Sequence, residues 1–305
     1  MDIINWLMSG DTSIKYQVSK DLLHEDVVVY EKHQQEIHKS GWCKRLIDLW
    51  NPKTKMWGNG IYSPKWVSTT YTMLDLKNFR VNPKLNCYQQ AAELLIDEMW
   101  VNRNSEKEYP LDLCICGMLL NLCCYGNLDH PAINDIVDTL LEHHMDDGAW
   151  NCDLCNHPHH SSLHTTINVL EGFLEYGQNN YTYRLDEIQE MVSMAHEFIL
   201  SHHMYKSDKT GEIIKKSFTM LSYPPRWKYD VLRALYYFSE RGVLYDQRMD
   251  DAIKILIKKQ RKDGSWPVQQ KYSGLVHFDY EKIGGPSRIN TLRALKVLKQ
   301  YNCKF

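Results

Sequence analysis

The sequence of 305 residues contains no apolar run approaching the roughly 20 residues that a transmembrane helix needs. Its N-terminus also lacks the charged and apolar pattern of a secretory signal peptide. Neither sign of charge dominates, because 36 Lys and Arg stand against 38 Asp and Glu and the formal net charge is −2. This balance argues against a nucleic-acid binder and against a polybasic membrane anchor. We therefore predict a cytoplasmic protein with no transmembrane segment and no nucleic-acid partner.

The cysteines lack the pattern of a disulfide framework. There are nine of them, an odd number, and several lie within apolar helical segments, namely Cys114, Cys116, Cys123 and Cys124. Disulfide frameworks are typical of secreted chains with an even number of cysteines at regular spacings. Reduced thiols in a cytoplasmic protein are the prediction.

Strand patterns are nearly absent, and apolar residues instead recur at helical spacing along most of the chain. A hydrophobic content of 43% and a charged content of 24% suit a globular protein with a full core. Aromatic residues are plentiful, with 19 Tyr and 9 Trp, and they indicate an aromatic-lined cavity. The fold class predicted from these features is all-α.

Six segments share one pattern, in which a first turn of polar or aromatic residues is followed by apolar ones. Pro is common in these first turns, where its missing N–H is not needed. The segments begin near residues 11, 64, 110, 160, 225 and 286, so they recur at intervals of 46 to 65 residues. Such a period indicates a repeated helical hairpin.

More strongly charged amphipathic stretches alternate with these segments, which predicts an outer layer of helices around an inner one. They lie at about 86–100, 131–144, 184–204 and 246–260, with a less clear one within 26–50. About six such hairpins can close into a ring, so we predict a single α/α-toroid domain over residues 1–305, with a central cavity. An open superhelix is the alternative, although it would normally carry polar capping repeats.

Three turns that join the hairpins contain Gly and Trp, and their tryptophans are Trp57, Trp150 and Trp266. Gly permits the tight turn, and Trp fills the gap between neighbouring hairpins. The last turn, QRKDGSW, resembles the Q-W repeat of squalene and other triterpene cyclases. The segment HTTINVLEG, from His164, is similar to an inner-helix segment of protein prenyltransferase β-subunits. The whole chain thus resembles the α/α-toroid superfamily, as a stand-alone relative of bacterial type.

Asp112, Cys114 and His164 are the first candidate metal ligands. Asp112 and Cys114 fall in the first turn of one inner helix and His164 in that of the next, so all three should face one rim. A catalytic zinc takes three protein ligands and one open position. The resemblance implies zinc here, because prenyltransferase β-subunits use an Asp-x-Cys pair and a His at a spacing similar to the 52 residues found here. The alternative is that Asp112 caps its helix and Cys114 is a small core residue.

A second candidate metal site is local and consists of Cys152, Cys155, His157, His159 and His160. These residues are rich in soft ligands, but the loop is too short to wrap an ion as a zinc finger does. The position of a zinc ion therefore stays open between the two constellations. Cys152 is also close enough to the rim to act as a substitute ligand.

Converging helix N-termini at one rim would favour an anion such as a diphosphate, and an apolar interior would suit a prenyl chain. Arg103 and Lys107 are candidate phosphate ligands, although the family's Arg and Lys precede the Asp more closely. Ile115 stands where the family has Tyr. Protein prenyltransferases also need a helical α-subunit, and this chain encodes none.

Asp230 and His160 are the candidate catalytic residues. The Asp-rich motif with which class II cyclases protonate an alkene is missing, and Asp230 is the acidic residue in an inner first turn. The alternative is that Asp230 caps its helix or pairs with Arg288. We expect Arg288 to bind substrate at the rim together with three aromatic residues, Trp66, Trp227 and Tyr229, for which packing is the alternative.

Three functions remain open from these residues. The first is a zinc-containing enzyme that resembles prenyltransferases and acts on an isoprenoid or another apolar small molecule. The second is a metal-free relative of terpene cyclases, in which Asp230 or His160 moves a proton and aromatic faces stabilise a carbocation. The third is a non-catalytic toroid whose cavity binds a ligand or a peptide end.

Overall fold

A computed structural model of the chain describes residues 2–103 and 111–303. Helices account for 55% of the structure and strands for 4%, which confirms the all-α prediction. The helices are α1 Ile3–Met8, α2 Thr12–Gln17, α3 Val27–Ile37, α4 Gly41–Ile47, α5 Thr69–Asn78, α6 Asn86–Ile96, α7 Leu113–Tyr125, α8 Ala132–Glu142, α9 Leu163–Gln178, α10 Leu185–Ser201, α11 Val231–Arg241, α12 Asp250–Lys258 and α13 Arg288–Gln300.

Shorter elements complete the described structure. Helices α2 and α6 each continue into a π-helical turn, Val18–Leu22 and Asp97–Val101. Short 3-10 turns lie at Leu154–Asn156, Lys216–Thr219 and Gln247–Met249. Two strands, β1 Trp266–Pro267 and β2 Pro286–Ser287, pair antiparallel, with Trp266 opposite Ser287.

The helices fall into two layers that alternate along the chain. In α7, 12 of the 13 residues are buried, and in α9, 12 of the 16 are buried. By contrast, only 6 of the 17 residues of α10 and 3 of the 9 residues of α12 are buried. Helices α2, α5, α7, α9, α11 and α13 thus form the inner layer, and α3, α4, α6, α8, α10 and α12 cover it. From α4 onwards, less buried and more buried helices alternate along the chain.

Two of the predicted inner helices begin later than expected. Helix α5 begins at Thr69 rather than near residue 64, and α11 begins at Val231 rather than near residue 225. The residues before α5 are held outside the helix by long-range bonds, since the Trp66 N–H donates to the Leu275 carbonyl at 2.7 Å. The start of α11 is fixed by the Asp230 side chain, which caps it.

The three predicted tryptophan turns share one set of contacts. Each tryptophan is fully buried, and its indole N–H donates to a carbonyl near the end of the preceding outer helix. The pairs are Trp57 with Leu46 at 2.7 Å, Trp150 with Leu140 at 2.6 Å and Trp266 with Leu256 at 2.7 Å. Each indole ring fills the gap between neighbouring helices, and its one polar atom is hydrogen-bonded. The indole hydrogen bonds therefore fix the angle of each hairpin.

The same tryptophans also bond to the next inner helix. The backbone N–H of each donates to a threonine hydroxyl in the first turn of that helix. The pairs are Trp57 with Thr69 at 3.1 Å, Trp150 with Thr166 at 3.4 Å and Trp266 with Thr291 at 2.8 Å. Each unit therefore ties an outer helix to the following inner helix, and its threefold occurrence confirms the internal repeat.

The first and last inner helices lie against each other. The Lys299 ammonium donates to the Leu22 carbonyl at 2.7 Å, and Lys296 lies 3.3 Å from the Asp21 carboxylate. Arg288, at the start of α13, donates to the Trp6 carbonyl at 3.1 Å. The last helix, α13, thus packs against the first helices of the described chain.

Candidate functional site

A cavity of about 790 Å³, a volume that includes its opening to solvent, lies among the inner helices. It is bounded by the later turns of α5, α7 and α9 and by parts of α11 and α13. Nine charged residues line it, namely Asp75, Lys77, Arg80, Glu171, Glu175, Arg226, Arg233, Glu240 and Arg293. This lining is more strongly charged than the apolar and aromatic interior that the sequence predicted. Charged side chains can occupy these buried positions because most of them pair with one another.

Arg233 is the most completely bonded cation of the cavity. Its Nε and one terminal nitrogen donate to the two oxygens of Glu171, at 2.8 and 2.7 Å. Further N–H groups donate to the Lys228 carbonyl at 2.7 Å and to the Asn168 side-chain oxygen at 3.0 Å. Burial opposes ionisation of Glu171, but Arg233 outweighs it and holds the pKa of that carboxyl below its usual value. The two parallel N–H···O bonds satisfy the hydrogen-bonding groups of both the guanidinium and the carboxylate.

The other three carboxylates of the cavity also have cationic partners. Asp75 accepts from Arg226 at 2.9 Å, and both side chains are only 5% exposed. Glu175 lies 2.7 Å from Lys77, and Glu240 lies 2.7 Å from Arg80. Burial alone would raise the pKa of Glu240, but Arg80 and Lys296 lower it to about 2. All four acidic residues of the lining are thus neutralised by ion pairs.

Arg293 is different, because no carboxylate among residues 2–103 and 111–303 forms an ion pair with it. It is 8% exposed and donates to the Asn78 side-chain oxygen at 3.2 Å. Its guanidinium lies 5.3 and 5.0 Å from the ring centres of Tyr223 and Tyr236. Ring faces attract a cation but carry no net charge. Among the residues that line the cavity, five cations stand against four carboxylates, and Arg293 is the cation without a direct carboxylate partner. It still lies near enough to Glu171 and Asp230 to lower the pKa of both carboxyls.

Asn121 gives the cavity an unsatisfied polar group. It lies on α7, is 2% exposed, and its side-chain oxygen has no hydrogen-bond partner in the described part of the chain. An unpartnered buried acceptor costs about 1–3 kcal/mol, so such groups are rare and call for an explanation. Neither Asn121 nor Arg293 was predicted from the sequence. The available signal was one amide within the otherwise apolar segment of α7.

The predicted metal ligands lie apart from this cavity. The His164 Nδ1 accepts a hydrogen bond from the Tyr229 N–H at 2.8 Å, and its ring packs against Phe218 and Trp227. Burial and nearby lysines lower the pKa of His164 to about 3, so the ring is neutral. Asp112 is the N-cap residue of α7 but makes no capping hydrogen bond through its side chain.

Cys114 contacts Cys152 rather than His164. The Cys114 backbone N–H donates to the Cys152 sulfur at 3.1 Å, and the Thr165 hydroxyl donates to the same sulfur at 3.2 Å. A hydrogen bond from the Cys114 thiol lowers the pKa of Cys152 despite its burial, and it raises the pKa of Cys114. Asp112 is close enough to act on both thiols electrostatically.

The described residues contain no group of three His, Cys, Asp or Glu side chains that could hold a metal ion. The predicted ligands Asp112, Cys114 and His164 therefore do not form such a group. The same is true of the loop residues Cys152, Cys155, His157, His159 and His160, of which all but Cys152 are exposed. Zinc stays a prediction from the resemblance, and no chemical step is assigned to it. Lys107 lies outside the described residues, and Arg103 does not line the cavity.

The two predicted catalytic residues occupy different environments. Asp230 is 2% exposed and caps α11, since its carboxylate accepts from the Arg233 N–H at 2.9 Å and from the Ser222 N–H at 3.2 Å. Burial raises the pKa of Asp230 to about 6. His160 is exposed, and its ring lies 3.4 Å from the Lys209 ammonium. The capping interpretation of Asp230 is confirmed.

The four predicted substrate-binding residues do not line the cavity. The indole N–H of Trp66 donates to the Ser273 carbonyl at 2.8 Å, in a loop that packs on it. Tyr229 is fully buried, and its hydroxyl donates to the Met204 carbonyl at 2.5 Å.

Arg288 and Trp227 complete this set. Arg288 stacks on Trp6 with 4.5 Å between the guanidinium carbon and the ring centre, where the first and last helices meet. Trp227 is half-buried, and its carbonyl accepts from Asn168 on α9 at 2.7 Å. Because the preceding residue, Arg226, bonds to Asp75 on α5, this segment crosses from α9 to α5. The segment bounds the cavity on the side where the sequence predicted an open rim.

A second positive region surrounds Trp227 outside the cavity. Lys228 and Lys65 lie 4.1 and 6.0 Å from its ring centre. Burial lowers the pKa of Lys228, and Lys215 and Lys65 lower it further because like charges repel. None of these three lysines forms an ion pair with a carboxylate within the described ranges.

Comparison with protein-family models, with curated proteins and with solved structures finds no match for this chain. In the described parts of the chain, no helix is both long and apolar enough to cross a membrane. The candidate site therefore has to be interpreted from its own geometry.

Proposed function

We propose that the helical hairpins close into an α/α toroid and that the central cavity of this toroid binds a small organic anion. The ring is supported by the alternation of inner and outer helices, by the three tryptophan units and by the contact of α13 with α2. A closed ring of inner helices would enclose the cavity on all sides between its two ends.

The observation that carries this proposal is that one cavity is lined both by Arg293, which has no ion-pair partner among the described residues, and by the unpartnered oxygen of Asn121. A carboxylate, sulfonate or phosphate group would neutralise Arg293. A hydroxyl, amide or ammonium group on the same ligand would donate to Asn121. A small hydroxy acid or amino acid carries both groups.

The charged lining also argues against a prenyl chain in this cavity. An apolar chain would displace water from four ion pairs without replacing any hydrogen bond, and desolvating charged groups is costly. Of the three functions left open by the sequence, the cavity thus favours the binding of a polar ligand.

Thermal denaturation with a panel of small acids tests the proposal. A ligand that binds only the folded state stabilises it by about 2.7 kcal/mol at 100 times its Kd, which raises Tm by several degrees. We expect at least one carboxylate, sulfonate or phosphate to raise the Tm of the wild type but not that of Arg293→Met. Arg248→Met is the matched control, because Arg248 pairs with Glu197 and Asp246 outside the cavity. A panel without effect, or an unchanged response in Arg293→Met, would overturn the proposal.

The lysines around Trp227 favour a second candidate, an isoprenoid diphosphate bound outside the cavity. Lys65, Lys215 and Lys228 would hold the diphosphate, and Trp227 would contact the chain. This candidate keeps the zinc predicted from the resemblance as part of the proposal. Prenyl diphosphates should then raise Tm in the wild type but not in Lys228→Met, and elemental analysis of the purified protein should find zinc. If neither result is obtained, this candidate is excluded.

A further inference from the structure

Two thiols from different parts of the chain meet beside the first turn of α7. Cys114 lies in that turn, and Cys152 lies 38 residues further on, in the loop that follows Trp150. The Cys152 sulfur is 3.1 Å from the Cys114 backbone nitrogen. Since N and Cα are joined by about 1.46 Å, this sulfur lies within about 4.6 Å of the Cys114 Cα. The side chains also meet directly, because a hydrogen bond joins the two thiols.

The two thiols differ in their access to solvent. Cys114 is 8% exposed, whereas Cys152 is partly exposed, at the edge of its loop. Three hydrogen-bond donors already reach the Cys152 sulfur, namely the Cys114 backbone N–H, the Cys114 thiol and the Thr165 hydroxyl. A small oxidant would therefore reach and react with Cys152 before Cys114.

We propose that Cys114 and Cys152 form a reversible disulfide when the protein meets hydrogen peroxide. The Cys152 sulfur attacks one peroxide oxygen, the O–O bond breaks, and a sulfenic acid and one water molecule form. The Cys114 sulfur then attacks the Cys152 sulfur, and the S–O bond breaks. The hydroxyl group takes up the proton of the Cys114 thiol and leaves as a second water molecule. Two thiols lose two electrons to one peroxide, and a dithiol reductant reverses the bond.

The disulfide would join the start of α7 to the loop that leads into α9. Thr165 lies in the first turn of α9 and already contacts the Cys152 sulfur, so the bond would fix two neighbouring inner helices at the same end. The region opposite the charged cavity would thereby become a site of oxidative modification. A cross-link that closes a loop of this length should raise the Tm of the oxidised protein.

Mass spectrometry of the full-length wild type under non-reducing conditions tests the proposal without any variant. After treatment with equimolar peroxide and alkylation of the free thiols, we expect a peptide pair linking Cys114 to Cys152. It should be lighter than the two reduced peptides by about 2 Da and should disappear after reduction. The matched control is Cys155→Ser, which alters an exposed thiol three residues away and should leave the linked pair unchanged.

Two further variants sharpen the result. In Cys152→Ser no linked pair should form, and in Cys114→Ser the sulfur of Cys152 should oxidise beyond the sulfenic acid because no thiol resolves it. Circular dichroism establishes that each variant has folded. Full alkylation of Cys152 after peroxide treatment, a link from Cys152 to Cys155, or stoichiometric zinc that protects both thiols would overturn the proposal.

Discussion

Two sides of the cavity each present a buried arginine, and the two arginines differ in what they bind. On the side of α9 and α11, Arg233 makes two bonds to Glu171 and further bonds to neighbouring oxygens. On the side of α5 and α13, Arg293 has only the amide of Asn78 and two ring faces. Both arginines occur in the tetrapeptide Leu-Arg-Ala-Leu of consecutive inner helices. Local sequence therefore does not separate a structural arginine from one that is free to bind a ligand.

The difference assigns a role to each side. A buried cation that is fully bonded within the protein contributes to the architecture, and its partner is needed to keep it there. A buried cation without a counter-charge destabilises the empty protein and gains stability from an anion. Substitutions at the two arginines and at the groups around them test this distinction.

The largest effect is expected at the paired side, from Glu171→Gln. This change removes the ion-pair partner of the buried Arg233 guanidinium, which should lower the free energy of unfolding by about 3–5 kcal/mol. Chemical denaturation measures it. Glu197→Gln is the control, because it removes the exposed partner of Arg248 and should cost less than about 1 kcal/mol. Similar small losses of stability in both variants would show that the buried pair of Arg233 contributes no more than the exposed pair of Arg248.

Asp230, which caps α11 beside Arg233, should make stability depend on pH. Its pKa is about 6 in the folded protein, above the value of about 3.9 for an unfolded aspartate. The folded state thus binds the proton more tightly. Its contribution to stability is complete below about pH 3.9 and is lost as the pH rises through about 6, a change of about 3 kcal/mol.

Asp230→Asn should remove this dependence and keep the cap, because Asn is also a good N-cap residue. The variant should gain stability relative to the wild type between pH 4 and pH 7.5, as denaturation curves at several pH values will show. A constant difference over that range would contradict the raised pKa.

Arg293→Met should behave in the opposite way to Glu171→Gln. Because Arg293 has no carboxylate partner among the described residues, its replacement by an apolar chain should leave the free energy of unfolding unchanged or raise it by about 1 kcal/mol. The measurement is denaturation of the ligand-free protein. A loss of 3 kcal/mol or more would mean that Arg293 is structural, like Arg233.

Asn121→Leu should have the smallest effect on the empty protein. Replacing an amide whose oxygen is unpartnered by an apolar group of similar size should raise stability by up to about 1 kcal/mol. The same variant should lose part of the response to small acids that the wild type shows. A clear loss of stability would indicate that the amide is already satisfied, for instance by an ordered water molecule.

Much of the fold could be predicted because burial on one face imposes a period on the sequence. The inner helices α7 and α9 begin within three residues of the predicted starts near 110 and 160, and the tryptophan turns form as expected. The starts of α5 and α11 could not be predicted from local pattern. They depend on bonds such as that between Trp66 and Leu275, which are distant in sequence.

The candidate site was harder to predict, because pairing between charges depends on which helices become neighbours. Arg226 and Asp75 are 151 residues apart in sequence, and Arg233 and Glu171 are 62 apart. Reading along the chain gives the charges but not the partners, and so cannot reveal which arginine is left over. For the same reason, Cys114 could be assigned to a metal site with His164, although in the structure it contacts Cys152.

Titration calorimetry with the most stabilising small acid, on wild type and Arg293→Met, tests the central claim most directly. A charge-assisted hydrogen bond contributes about 1.5–3 kcal/mol, so the account predicts one binding site in the wild type and an affinity at least about tenfold lower in the variant. Arg248→Met should bind like the wild type. Equal affinities in the wild type and Arg293→Met would contradict the account.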